Sequence, residues 1–239
     1  MPDPSADAFA ALARSSPWRW STLRFTVRWP GNPWKTEALR AWLRRPDLLR
    51  VETVDGGFRQ VVREQGHRVG ALTLPWPVDR SPVRRPDGLV AERPEELSYD
   101  APMHQDYAWV AMLDPVEFAD GLDRDDGRIV RPALEVEGVA EVEHAGRPAW
   151  EAVVRPTSVY EPRCACCSLL RTREIDLLEY RDEPDRVLAA YPEAFRVRLD
   201  TGTGVCVAIE EIGGLTPRAG HDLRIESVDE PMDDALFRQ

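Results

Sequence analysis

The chain has 239 residues, 43% of them hydrophobic and 31% charged, which is the composition of a folded globular protein and excludes a disordered chain. Its formal net charge of −11 repels phosphate backbones and anionic lipid surfaces, so nucleic acid is not expected as a partner. The segment Met1–Ser16 lacks the features of a secretory signal, and charged residues interrupt every later apolar run. We therefore expect a cytoplasmic protein without a membrane span.

The first elements of the chain are predicted to be a strand and a short helix. Residues 21–29 alternate strictly between polar and apolar side chains, which predicts a half-buried strand. Residues 36–45 place apolar side chains, among them Trp42, at helical spacing, with Thr36 as the N-cap. We therefore expect a helix at 36–45.

A meander and a long irregular segment follow. Residues 48–54, 58–64 and 68–74 predict three strands, because sequences typical of hairpin turns separate them. Six prolines lie between Pro75 and Pro102, which excludes a regular element there. The segment 75–104 is therefore predicted to be a Pro-rich excursion over the surface, and such long loops are usually functional or mobile.

The second half of the chain predicts two helices and then more strands. The helices are expected at residues 105–112 and 115–121, with Asp114 as the N-cap of the second. The strands are expected at residues 133–143, 147–154, 194–200, 205–212 and 221–228, and residues 231–237 are expected to form a short helix or a packed tail.

This order of elements has no βαβ rhythm, and it predicts an α+β fold in a single domain over residues 1–239. We expect a curved antiparallel sheet, a half-barrel, with helices covering its concave face.

Several short segments, in their order and spacing, resemble a known group of proteins. They are residues 46–52, 113–118, 146–156, 199–205 and 234–237. Together they are similar to the LolA-like group of lipoprotein-carrier folds, which includes sensors of the RseB type. The resemblance implies a half-barrel with an apolar concavity, where the best-known members, which are exported, carry acyl chains. The chain departs from these members because no export signal is found in it. From the alternating strands and the resemblance, we expect a non-catalytic binding protein that uses its concave apolar face for a hydrophobic ligand or a protein segment.

The aromatic residues of the first half are candidates for lining such a concavity. The predicted ligand-binding residues are Phe25, Trp29, Trp42, Trp76 and Trp109, with the Pro-rich excursion as a lid. The alternative is that these rings simply fill the concave face of the sheet as core.

A cluster of cysteines provides the second functional hypothesis. Cys164, Cys166 and Cys167 supply soft ligands for zinc or cuprous ion, and Cys164 and Cys167 have the spacing of a dithiol redox pair. The candidates for a fourth zinc ligand are Cys206, His144 and His221. In an extended chain the adjacent Cys166 and Cys167 point in opposite directions, so we expect only two of the three to face one metal. Packing in a turn and a disulfide are the alternatives.

The sequence contains no complete catalytic motif. It lacks a nucleophile elbow, a phosphate-binding loop and a dinucleotide-binding motif. The acidic turn at 123–127 departs from a calcium loop, because Gly127 comes one position too early and no glutamate follows at the twelfth position. Three hypotheses remain: a binding protein, a thiol-based metal or redox protein, and an adaptor that uses its Pro-rich excursion.

Overall fold

The computed structural model describes residues 2–63, 67–69, 72–74, 81–94 and 102–238. Trp76 and parts of the Pro-rich excursion, including residues 75–80 and 95–101, lie outside the described residues.

Three α-helices and fifteen strands are found in the described ranges. The helices are α1 (Ala6–Ser15), α2 (Ala108–Leu113) and α3 (Arg173–Glu179). The strands are β1 (Thr22–Arg28), β2 (Leu39–Arg44), β3 (Leu48–Thr53), β4 (Phe58–Arg63), β5 (His67–Val69), β6 (Leu72–Leu74), β7 (Val83–Arg84), β8 (Val90–Glu92), β9 (Gly121–Leu122), β10 (Ile129–Val130), β11 (Leu134–His144), β12 (Arg147–Pro156), β13 (Pro192–Asp200), β14 (Cys206–Gly213) and β15 (Gly220–Val228). Short 3-10 helices occur at Ser16–Trp18, Val116–Phe118, Ala165–Cys167, Pro184–Arg186 and Asp234–Phe237.

Nine strands form one open, curved antiparallel sheet in the order β11-β12-β13-β14-β15-β1-β2-β3-β4. All neighbours in this sheet are consecutive among its strands except β15 and β1, which come from the two ends of the chain. A segment that contains α3 connects β12 to β13, and shorter turns connect the other consecutive pairs. The remaining strands form three separate pairs, β5 with β6, β7 with β8 and β9 with β10. The expected α+β antiparallel fold class is therefore confirmed.

Helices cover one face of this sheet, since that face is apolar. In β1 the side chains of Leu23, Phe25 and Val27 are buried, and the alternate residues are more exposed. Helix α1 packs Phe9 and Leu12 into the part of the core formed with β12 and β13. Helix α2 packs Trp109, Met112 and Leu113 against the part formed with β1, β2 and β3. No helix in the described ranges has the length and apolarity needed to cross a membrane.

The helix predicted at 36–45 is wrong, because this segment forms β2. Hydrogen-bonded pairing with β1 and β3 outweighs the helical spacing of its apolar residues. Leu43 is fully buried in the core, and the neighbouring Trp42 faces the other side of the sheet, opposite Arg24 and Arg50.

The helices near residue 114 also differ from the prediction. Helix α2 ends at Leu113, and a 3-10 turn replaces the predicted helix at 115–121. Asp114 follows the end of α2, where its N–H donates to the carbonyl of Val110, and it is not an N-cap. The predicted strand 68–74 is divided into β5 and β6. Neither α1 nor α3 was predicted, whereas the five strands expected between residues 133 and 228 are all confirmed with small changes at their ends.

Replacing Leu43 and Trp42 separately tests the strand at this position. We expect Leu43→Ala to lower the free energy of unfolding by about 2–5 kcal/mol, since it leaves a cavity in the core, and Trp42→Ala to lower it by only about 1 kcal/mol. Urea unfolding of both variants gives the comparison. Equal losses would indicate that both side chains lie on one buried face, as in a helix.

Candidate functional site

One of the two edges of the large sheet, opposite β4, is the strand β11. It pairs with β12 along one side only, since it stands at the end of the strand order. An edge strand presents a row of backbone N–H and C=O groups that have no partner within the sheet. Most side chains of β11 are exposed. On its outer side, β11 makes no backbone hydrogen bond to another described residue.

Unpaired negative charge runs along this same strand. Glu135, Glu141 and Glu143 are exposed and have no ion-pair partner among the described residues. A fourth glutamate, Glu137, pairs with Arg155 of β12 at 3.0 Å between Oε1 and Nη1. The local field at this edge is therefore negative.

Several carboxylates elsewhere on the sheet are paired with arginine. Glu226 of β15 contacts Arg24 and Arg40 on neighbouring strands, and Glu151 of β12 contacts Arg198 at 2.7 Å. Glu193 of β13 is exposed without an ion pair among the described residues, so β11 differs by carrying three such glutamates in one strand.

A bulge divides β11 into two pairing segments. The register with β12 shifts between Glu137 and Ala140, and Gly138 lies there with a φ of 62°, in the left-handed region that favours glycine. Val136 and Val139 are half-buried against the core, so the strand is held on its inner side. The sequence predicted this strand but not its place at the edge, although the alternating glutamates are visible in it.

The predicted aromatic lining is only partly brought together. Trp109 is fully buried and contacts Phe25 and Trp29, with ring centroids 5.6 and 5.9 Å apart. These three rings fill this part of the core themselves. Trp42 lies on the opposite face of the sheet, and Trp76 lies outside the described residues.

The three clustered cysteines converge on one point. The Sγ atoms of Cys164, Cys166 and Cys167 all lie within 4.8 Å of one another, and those of Cys164 and Cys166 are 3.0 Å apart. A 3-10 turn at Ala165–Cys167 produces this arrangement, because it curls the chain around Cys164. The expectation that only two thiols could face one metal is therefore wrong, since it assumed an extended chain.

The predicted fourth ligands do not join this cluster. Cys206 is fully buried in β14 as part of the core, and burial raises the pKa of its thiol well above the ordinary value. The side chain of His221 is buried, and its Nε2 lies 2.8 Å from the carbonyl oxygen of Cys206. Burial lowers the pKa of His221 to about 4. The Nε2 of His144 lies 3.0 Å from the carbonyl of Leu223. Among the described residues, the three clustered cysteines are the only members of this group of potential metal ligands.

Two buried carboxylates anchor the segment that leads into the cysteines. Glu117 accepts a hydrogen bond from the Tyr160 hydroxyl at 2.7 Å and another from the backbone N–H of Arg163 at 3.0 Å. Asp114 accepts hydrogen bonds from the guanidinium groups of Arg93 and Arg163. The chain is therefore fixed at the residue directly before the first cysteine.

The two carboxyl groups are shifted in opposite directions. Burial raises the pKa of Glu117, and its hydrogen bonds offset this only in part. Burial also raises the pKa of Asp114, but the positive charges of Arg93 and Arg163 outweigh it and hold that pKa below its usual range.

The thiols differ from one another as well. The pKa of Cys164 is lowered. Burial alone would raise it, but the hydrogen bonds from Cys166 and Cys167 have the larger combined effect. Burial and the hydrogen bond to Cys164 raise the pKa of Cys167, with a further contribution from the nearby Asp106. Hydrogen bonding to Cys164 also raises the pKa of Cys166, and the carboxylate of Glu179 raises it further.

Comparison with known proteins finds structural likenesses only. No family model matches this chain, and no curated protein matches it. A crystal structure of MucB is similar at 15% identity with a TM-score of 0.43, over 99% of this chain and 64% of that one. MucB in complex with MucA(peri) is similar at 13% identity with a TM-score of 0.44, over 98% of this chain and 60% of that one. The MucA/MucB complex of Pseudomonas aeruginosa is similar at 14% identity with a TM-score of 0.43, over 98% of this chain and 60% of that one.

This chain spans between 60% and 64% of the length of these three chains. Its cytoplasmic location stays a prediction.

Removing the buried charge of Asp114 tests the anchor. We expect Asp114→Asn to lower the free energy of unfolding by about 3–5 kcal/mol at pH 7, because it leaves Arg93 and Arg163 without their buried counter-charge. The folded pKa of Asp114 lies below its unfolded value, so its stabilisation is present above about pH 4 and is lost as the pH falls further.

Urea unfolding at pH 7 and in the acid range measures this difference. The gap between wild type and variant is expected to shrink on acidification. Asp125→Asn, at an exposed turn, is the control and is expected to change stability by less than about 0.5 kcal/mol. A gap that stays constant with pH would mean that the carboxylate of Asp114 is not the titrating group.

Proposed function

We propose that this protein is a non-catalytic binding protein that takes up an extended, basic segment of a partner protein along the free edge of β11. The observation that carries the proposal is the exposed edge strand with its unpaired glutamates. An added strand would complete the backbone hydrogen bonds of β11, which is the pairing used in β-augmentation.

The charge of the edge specifies the chemistry of the partner. A segment with Arg or Lys at alternate positions would place its cations beside Glu141 and Glu143, which share one face of β11. Glu135 lies on the other face, opposite Arg155, because the register shifts by one residue at the bulge. Exposed ion pairs across such an interface supply orientation and association rate more than affinity. The segment is therefore expected to bind faster and more tightly at low salt.

A second copy of β11 fits this edge poorly. Two such strands side by side would bring two rows of unpaired glutamates together, and like charges on facing strands are destabilising. The core offers no better site for an apolar ligand at the predicted position, because Phe25, Trp29 and Trp109 already contact one another there. A basic segment from another protein is therefore the preferred occupant.

Peptide binding tests the proposal. The probe is a fluorescently labelled peptide of alternating Arg and Val, compared with one in which Glu replaces Arg. We expect the Arg peptide to bind with an affinity that falls with salt, and the Glu peptide not to bind. Replacing Glu135, Glu141 and Glu143 together by Gln is expected to weaken binding about tenfold, since exposed ion pairs each contribute roughly 0.2–1 kcal/mol.

Two controls separate this site from general attraction to an acidic protein. The first is the variant Asp125→Asn with Asp182→Asn and Glu230→Gln, which removes the same charge from exposed positions elsewhere and is expected to keep the affinity. The second is the Arg peptide with methylated backbone nitrogens, which keeps its charge but cannot complete the ladder and is expected not to bind.

Other results overturn the proposal. Binding that the backbone methylation leaves unchanged would show electrostatic attraction without strand pairing. If the Arg peptide does not bind and the β11 Gln variant self-associates, the glutamates serve only to keep sheet edges apart.

A further inference from the structure

We propose that Cys164, Cys166 and Cys167 form a binding site for one thiophilic metal ion, held by three sulfur atoms and separate from the β11 edge. The site rests on the convergence of the three sulfurs within 4.8 Å, and it does not depend on the proposed partner segment. Soft thiolate ligands favour Zn²⁺ and Cu⁺ over hard cations such as Ca²⁺ and Mg²⁺.

The distances suit metal coordination by all three sulfurs. Zinc–sulfur bonds of about 2.3 Å in a tetrahedral site place the ligand sulfurs about 3.8 Å apart. The closest pair, Cys164 and Cys166, is separated by 3.0 Å, and no pair exceeds 4.8 Å. The separation expected for zinc ligands therefore lies between the shortest distance and the upper limit of the distances in this cluster.

Packing does not explain these cysteines. Free cysteines that act as small apolar residues are commonly buried, as Cys206 is in the core. Cys166 is exposed, and Cys164 and Cys167 are only half-buried. Three thiols that meet at a surface turn gain little from burial, so another role has to account for their convergence.

The chain on both sides of the cluster is already fixed. Before it, the N–H and the guanidinium of Arg163 are bound by Glu117 and Asp114. After it, Leu170 is fully buried, and Leu169 packs against the core. Metal binding would therefore order little additional chain, which reduces its entropic cost.

One carboxylate adds negative charge beside the cluster. Glu179 acts on Cys166, whereas Asp106, which acts on Cys167, is itself ion-paired with Lys35. Partial exposure of the thiols leaves one side open to solvent, so water can complete a four-coordinate Zn²⁺ site. Cu⁺ needs no ligand beyond the three sulfurs.

Metal binding to the full chain tests the site. The protein is purified under reducing conditions without chelator or metal-binding tag and titrated separately with Zn²⁺ and Cu⁺ against a competing chelator. We expect one ion per chain. Each of the variants Cys164→Ser, Cys166→Ser and Cys167→Ser is expected to weaken binding by roughly tenfold or more, since even the loss of an outer-sphere partner has effects of that order.

Cys206→Ala is the matched control, because it removes the remaining thiol from outside the cluster. It is expected to leave the metal affinity unchanged, and far-UV circular dichroism checks that each variant is folded. X-ray absorption of the loaded protein distinguishes the two metals: three sulfurs and one oxygen neighbour for Zn²⁺, or three sulfurs alone for Cu⁺.

Three results would overturn the proposal. The first is a wild-type metal affinity no higher than that of the triple serine variant, and the second is a loss of affinity in Cys206→Ala as large as in the cluster variants. The third is a reduced protein that takes up neither metal but forms a Cys164–Cys166 disulfide on mild oxidation. Peptide binding at β11 is measured on the same samples, so the failure of one proposal is separable from the failure of the other.

Discussion

An antiparallel sheet that does not close on itself has to cover its apolar face and still leaves two edges. The nine-stranded sheet of this protein meets the first requirement with helices α1 and α2, which pack on the face that carries Leu23, Phe25 and Val27. The second requirement determines where function is to be sought, because the edge strands are the parts of the sheet with incomplete hydrogen bonding. Strand β11 is such an edge, and its backbone is well exposed.

Charge makes this edge selective. The chain carries a net charge of −11, yet much of the sheet surface is locally neutral because arginines pair with glutamates across neighbouring strands. In the proposed function, the unpaired glutamates of β11 keep a second acidic copy from this edge and attract a basic strand.

The interior contributes through two buried acids that are placed close together. Asp114 and Glu117 follow the end of α2, and both hold Arg163, which directly precedes Cys164. The position of the 3-10 turn that carries the cysteines is therefore linked to the packing of α2, whose Trp109 lies in the core beside Phe25. Substitutions far from the thiols in sequence, such as at Asp114, are for this reason expected to disturb them.

The sequence is sufficient to predict strands that alternate regularly or that typical hairpin turns join. Burial alternates with period two in β1 and β15, and hairpin-turn sequences separate β11 from β12 and β13 from β14. At β2 the residues Leu39 and Leu43 fit both a helix and a strand, and only pairing with β1 and β3 decides between them. Helix α1 is absent from the predicted elements, because its apolar run is short.

The sites depended on information that a linear pattern does not contain. The alternating glutamates of β11 are plain in the sequence, but its place at an edge follows from the pairing of β15 with β1, far apart in the chain. The convergence of Cys166 and Cys167 follows from a 3-10 turn, whereas an extended chain separates them. A helix at 36–45 would place Trp42 with the apolar core residues, whereas strand β2 places it on the opposite face from Leu43.

Hydrogen exchange of the backbone amides of β11 tests most directly whether its edge is a pairing site. In the free protein, the outward-facing amides between residues 134 and 144 are expected to exchange rapidly, and those bonded to β12 slowly. At saturating Arg–Val peptide, the outward-facing amides are expected to become protected while the exchange of β4, at the other edge, stays the same. Saturation of the protein without new protection in β11 would contradict the account, since it would place the bound segment elsewhere.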